Sequence, residues 1–146
     1  MATVYSTQRA SRVAVPSRRV KTNEWHGRDR KAFFSYTVPT GNNVVGDVIE
    51  LCEIPAGSRL FGGMAAWEAM SSAGGDSSVQ IGVTGTVAKY LATTSVDAAG
   101  VALIGNTIAL FYGEELTSDI LLIATVTTEA WVAAKKFYGH MSYMLD

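Results

Sequence analysis

Residues able to do chemistry are few in this 146-residue sequence: one cysteine, Cys52, and two histidines, His26 and His140. Nucleophilic catalysis needs a serine or cysteine, a base to take its proton and a carboxylate to orient that base. A set built on Cys52 or a serine with either histidine would have to assemble from distant positions, because no Gly-x-Ser-x-Gly elbow occurs. Neither histidine has a second at i+2 or i+4, and no Asp-x-Asp-x-Asp-Gly loop is present, so zinc and EF-hand calcium lack their ligands. Glu114 and Glu115, with Asp119 nearby, could form an acid/base pair, but adjacent carboxylates after Gly113 read more simply as a solvated loop. The 14 glycines form neither a Gly-x-Gly-x-x-Gly nor a Gly-x4-Gly-Lys phosphate loop and read as turn and bulge residues. The sequence points away from an enzyme and implies no cofactor or metal. Both histidines read as structural, and Cys52, in an apolar stretch, as a small buried hydrophobe.

The elements that would position any site read as β. Phe34, Tyr36 and Val38 alternate with Ser35 and Thr37, the period of a half-buried strand. Pro39 to Asn43 is dense in turn formers. A second strand is expected over Gly46 to Ile54, and Pro55-Ala56-Gly57-Ser58 turns it into a third over Arg59 to Met70, with a bulge or close approach at Gly62-Gly63. Val79, Ile81 and Val83 alternate again. Val87 to Leu91 reads as either a helical turn or a short strand, and Thr107 to Tyr112 as a strand. Ile120 to Thr127 is apolar on both faces and hence central, and Phe137 to Leu145 closes the chain with Phe137, Met141 and Tyr143 on one face. Thr128 to Lys136 reads as a short helix or a wide hairpin loop. Seven or eight short strands at turn-punctuated spacing predict an all-β sandwich or jelly roll. A hydrophobic content of 48% suffices for one core.

Charge divides the chain. Residues 1–31 carry eight basic against two acidic side chains, a balance of +6, and residues 32–146 carry four against eleven, a balance of −7. The division predicts an extended basic arm over 1–31 and a sandwich body over 32–146. Without a core pattern, the arm has to be held by the body, a sister subunit or a partner. Its contact residues are expected to be Arg9, Arg12, Arg18, Arg19, Lys21, Trp25, Arg28, Arg30 and Lys31, the guanidinium groups gripping carboxylates. The acidic body disfavours nucleic acid as the partner, since it repels the phosphates the arm attracts. Three tryptophans, six tyrosines and five phenylalanines exceed what a thin core hides, so Trp67 and Trp131 are expected at a contact between chains. No apolar signal region follows the N-terminus, and the strongest apolar run, Ile120 to Ala124, is far shorter than the ~20 residues of a membrane span. A soluble protein made in a cytoplasm is expected.

The run Gly46 to Gly63, with Pro55-Ala56-Gly57 between two strands, resembles small capsid proteins of tailed phages, the decoration or cement proteins with a jelly-roll body. Ile81-Gly82-Val83, then Ala88 to Leu91 with Ser95 to Gly100, and the closing strands Ile120 to Thr127 and Phe137 to Tyr143 follow the same pattern. The resemblance spans roughly residues 34–145 and leaves the arm unmatched. It implies a virion protein on the exterior of an icosahedral head that bridges neighbouring copies of the major capsid protein and forms a homo-oligomer, a dimer or trimer. Other readings are a soluble ligand-binding β-sandwich and another virion part, such as a tail or head-completion protein.

Overall fold

A computed structural model describes residues 28–40, 43–72, 75–105, 113 and 115–145. Eight strands run β1 (Arg28–Thr37), β2 (Val48–Ile54), β3 (Arg59–Trp67), β4 (Ser78–Val83), β5 (Thr86–Ser95), β6 (Gly100–Ile104), β7 (Ile120–Thr127) and β8 (Lys136–Leu145). No described residue is helical.

The strands pair in nested fashion. β1 lies against β8, β2 against β7, β3 against β6 and β4 against β5, all antiparallel, as if one long ribbon had been folded at its middle. Wrapping that ribbon adds two further pairings, β3 with β8 and β4 with β7, and leaves two four-stranded sheets in the orders β1-β8-β3-β6 and β2-β7-β4-β5. This is the jelly-roll sandwich. The central position expected of Ile120 to Thr127 is that of β7, between β2 and β4.

Burial follows the two-residue period. Phe34, Leu60, Trp67, Ile81, Leu122, Ala124, Val126, Phe137 and Met141 point into the space between the sheets. Phe137 sits at the centre of the aromatic part, 5.8 Å from Phe34, 6.4 Å from Trp67 and 5.3 Å from Trp131 between ring centroids. At Gly139 there is room only for hydrogen. A Cβ there would lie 2.1 Å from the Met64 carbonyl oxygen and 2.7 Å from the Phe34 ring.

Two sequence expectations change. β1 begins at Arg28, four residues ahead of the expected boundary, and its first residues pair in register with Ser142 to Leu145, so Arg28, Arg30 and Lys31 are part of the sheet. Trp67 and Trp131 do not face outward: they are 5% and 0% exposed within the chain itself. Trp67 is drawn in by its register opposite Phe137, with its indole N–H donating to the Ala98 carbonyl. Trp131 is drawn in by a two-bond backbone bridge to Asn43. Of the alternatives left open, Val87 to Leu91 takes the strand, within β5, and the segment between β7 and β8 takes the loop, an irregular connection in which Thr128 and Ala134 take positive φ. Val38 holds that connection through backbone bonds to Lys135 and Ala134. The strand expected over Thr107 to Tyr112 lies outside the described residues.

Candidate interaction surface

The groups that could do chemistry are kept apart by the sandwich. Cys52 belongs to β2 and packs against the core from one sheet, whereas His140 lies on β8, on the outer face of the other sheet, beside Phe33. The core separates thiol from imidazole, so neither can serve the other as base or nucleophile. Burial pushes the Cys52 thiol up to about 11, which keeps it protonated and unreactive. His26 and Glu114 lie outside the described residues.

Five of the body's carboxylates accept hydrogen bonds from backbone at strand ends and loops. Asp47 accepts the Val44 N–H, Asp97 that of Ser77, Asp119 that of Ala56, Glu129 that of Asp76 and Glu68 that of Lys136. Each is a charge-assisted bond that pins a turn between strands. Glu115 pairs with the Arg59 guanidinium at 2.6 Å, while another nitrogen of that guanidinium donates to the Gly113 carbonyl. Asp119 and Glu115 thus hold the approach to β7 as staples between chain segments. Among the described residues no three His, Cys, Asp or Glu side chains gather as metal ligands.

Of the expected arm contacts, Arg9, Arg12, Arg18, Arg19, Lys21 and Trp25 lie outside the described residues. Arg30 and Lys31 are exposed at the start of β1, on opposite faces of the strand by its alternation.

Sequence reasoning missed the outer face of the β1-β8-β3-β6 sheet. Register places Phe33, His140, Met64 and Leu103 in one row across its four strands, one residue from each. The next row on the same face is Ser35, Tyr138, Ala66 and Val101. Phe33 is 72% exposed, Val101 65%, Leu103 58% and Tyr138 47%. On the β1–β8–β3 side a shallow groove of about 500 Å³ runs between Phe33, Ser35, Tyr138, His140 and Met64, floored by the main chain at Gly139. On the β6 side Val101 and Leu103 stand out as an apolar ridge. Charges flank this belt without entering it: Asp29 and Lys31 at one end of β1, Lys136 and Glu68 at the opposite end of β8 and β3. The outer face of the other sheet is different in character, with Glu50 and Glu53 exposed on its edge strand β2.

No protein-family model matches the sequence, and no curated protein matches it. Solved structures do. A chain of the cyanophage Pam1 capsid asymmetric unit superposes with a TM-score of 0.70 at 18% identity, covering 100% of both chains. A chain from the capsid of Ralstonia phage GP4 gives 0.67 at 18% identity over 82% of this chain and 86% of that one. One from the acidic stable capsid structure of Helicobacter pylori bacteriophage KHP30 gives 0.61 at 18% identity over 82% and 90%. At this identity the likeness is one of fold.

Proposed function

We propose that this chain is a non-enzymatic structural protein of a phage virion, which decorates the capsid exterior and cements it by bridging neighbouring major capsid subunits, acting as a dimer or trimer. The observation that carries this reading is the full-length superposition on a chain of a phage capsid asymmetric unit, with two further capsid structures sharing the fold. The site chemistry is compatible with it: the thiol is held protonated, the histidine lies on the opposite side of the core, and carboxylates such as Asp119 and Glu129 are bonded to loop backbone.

In this reading the sandwich is the rigid spacer and residues 1–27 are the tether. Arg9, Arg12, Arg18, Arg19 and Lys21 would engage carboxylates on capsid subunits, with Trp25 as apolar anchor. Exposed ion pairs contribute only ~0–1 kcal/mol each, so no single arginine should decide binding. Repetition over a shell converts weak contacts into firm attachment.

Co-sedimentation with purified capsids lacking the protein tests this. The full chain should pellet with capsids at saturating stoichiometry, and a chain beginning at Arg28 should bind far more weakly. Raised salt should weaken the full-length complex in the same direction. A full-length chain that stays in the supernatant would refute the capsid reading. Equal binding by the two chains would refute the tether.

A further inference from the structure

We propose that the outer face of the β1-β8-β3-β6 sheet is the seat of a second copy of this chain, the two copies packing face to face about a two-fold axis that runs along the strands. This rests on the surface described above and not on the capsid reading.

The shape is self-complementary under that operation. A two-fold axis along the strands, between β8 and β3, lays β6 of one copy over β1 of the other and β3 over β8. It preserves the level of each row. The ridge residues Leu103 and Val101 therefore fall on Phe33 and Ser35, at the groove. Each copy offers one ridge and one groove, so both are filled twice. Sheets packed in this way lie about 10 Å apart with strands within about 30° of parallel.

Charge favours the same arrangement. Residues 32–146 carry −7, so two bodies repel each other at long range. This belt is the exception, uncharged at its centre and balanced at its ends. Lys136 on β8 and Glu68 on β3 sit level with each other, because the Glu68 N–H donates to the Lys136 carbonyl. The two-fold sets each lysine over the other copy's glutamate, twice. A two-fold axis across the strands would lose both the ridge-to-groove fit and this pairing. Four strands of these lengths give a face roughly 19 Å by 25 Å, about 500 Å² before side-chain relief, so two such faces bury about 1,000 Å² together, the lower bound for a specific interface.

The test is the oligomeric state of the full-length chain without capsids, by sedimentation equilibrium from about 1 to 100 µM. The wild type should be a dimer. Leu103→Lys should raise the dimer dissociation constant at least about tenfold with an unchanged far-ultraviolet spectrum; if that variant fails to fold, Val101→Lys reads the same face. Lys136→Glu and Glu68→Lys should each weaken the dimer, and the doubly exchanged chain should recover it. A monomer at 100 µM, a trimer, or a dimer indifferent to Leu103→Lys and Val101→Lys would overturn the proposal, as would failure of the double exchange to restore what the single changes lose. Each of these outcomes leaves the capsid sedimentation result free to stand or fall.

Discussion

Deleting residues 1–27 and deleting residues 1–31 should have different consequences, although the cuts differ by four residues. A chain beginning at Arg28 keeps all eight strands, whereas one beginning at Ala32 loses the pairs Arg28–Leu145, Asp29–Met144, Arg30–Tyr143 and Lys31–Ser142. In an antiparallel ladder an edge strand bonds its one neighbour through alternate residues, two bonds at each, so four residues supply about four bonds. At roughly 0.5 kcal/mol net apiece, the low end of the range and the end suited to a solvent-exposed edge, the loss comes to about 2 kcal/mol, within roughly 1–3 kcal/mol. For a domain of this size that lowers the melting temperature by roughly 3–10 °C. It also bares one edge of β8 over Ser142 to Leu145, a site for unwanted strand pairing. Urea titrations followed by the fluorescence of Trp67 and Trp131, present in both proteins, measure the difference. The chain from Arg28 should match the full-length protein within ~0.5 kcal/mol, and the chain from Ala32 should fall below it with a similar m-value. The reasoning fails if the shorter cut already costs several kcal/mol, which would make residues 1–27 part of the fold. It fails equally if the two truncations are indistinguishable, since β1 would then begin later than its pairing indicates.

Other substitutions sort the two faces and the titrating groups. Phe137→Ala should cost ~3–5 kcal/mol, because it opens a cavity among Phe34, Trp67 and Trp131; in dilute protein Phe33→Ala should stay within ~0.5 kcal/mol, and equal losses in urea melts would contradict the assignment of faces. Cys52, with its thiol near 11, should react with a disulfide reagent at pH 8 at least about a hundredfold more slowly in the folded chain than in urea; comparable rates would show an open thiol. The Asp97 carboxyl is held below its ordinary 3.8 by the Ser95 hydroxyl, against desolvation, with further bonds from the Ser77 N–H and Ser71. A depressed carboxylate stabilises above its ordinary value and ceases to do so as pH falls through the folded one, so Asp97→Asn should flatten the acid limb of stability against pH, and an unchanged limb would rule that contribution out.

What the sequence revealed depended on whether side chains or backbone made the decisive contacts. Val79 to Val83, Ile120 to Thr127 and Phe137 to Leu145 are legible because their alternation or continuous apolarity reflects burial directly. The start of β1 is not. Arg28 to Lys31 are all charged, and what fixes them is main-chain pairing to β8, which leaves no hydrophobic trace. β5 was obscured by register shifts between Val79, Ile81 and Val83, which leave neighbouring Tyr90 and Leu91 both buried and break the period. The helix-friendly Ala133-Ala134-Lys135-Lys136 was overridden because Ala134 takes φ 64° and its N–H goes to Val38.

The apolar outer face was hidden by one residue. β3 reads Leu-Phe-Gly-Gly-Met-Ala-Ala-Trp from Leu60, apolar throughout, so its composition does not say which side chains point inward. Leu60 is fully buried, and strict alternation from it would turn Gly62, Met64 and Ala66 inward and Trp67 outward. The register shift between Leu60 and Gly62, where Gly62 takes φ +93°, inserts the extra residue that reverses this parity. Trp67 therefore turns into the core to meet Phe137, and Met64 and Ala66 turn out to join Phe33, Tyr138, Val101 and Leu103. The aromatic and aliphatic surplus evident in the composition is real, but it sits one step along the strand from where counting placed it. A bulge at a glycine thus does two jobs at once: it completes the stacked aromatic core and leaves the opposite face apolar and open.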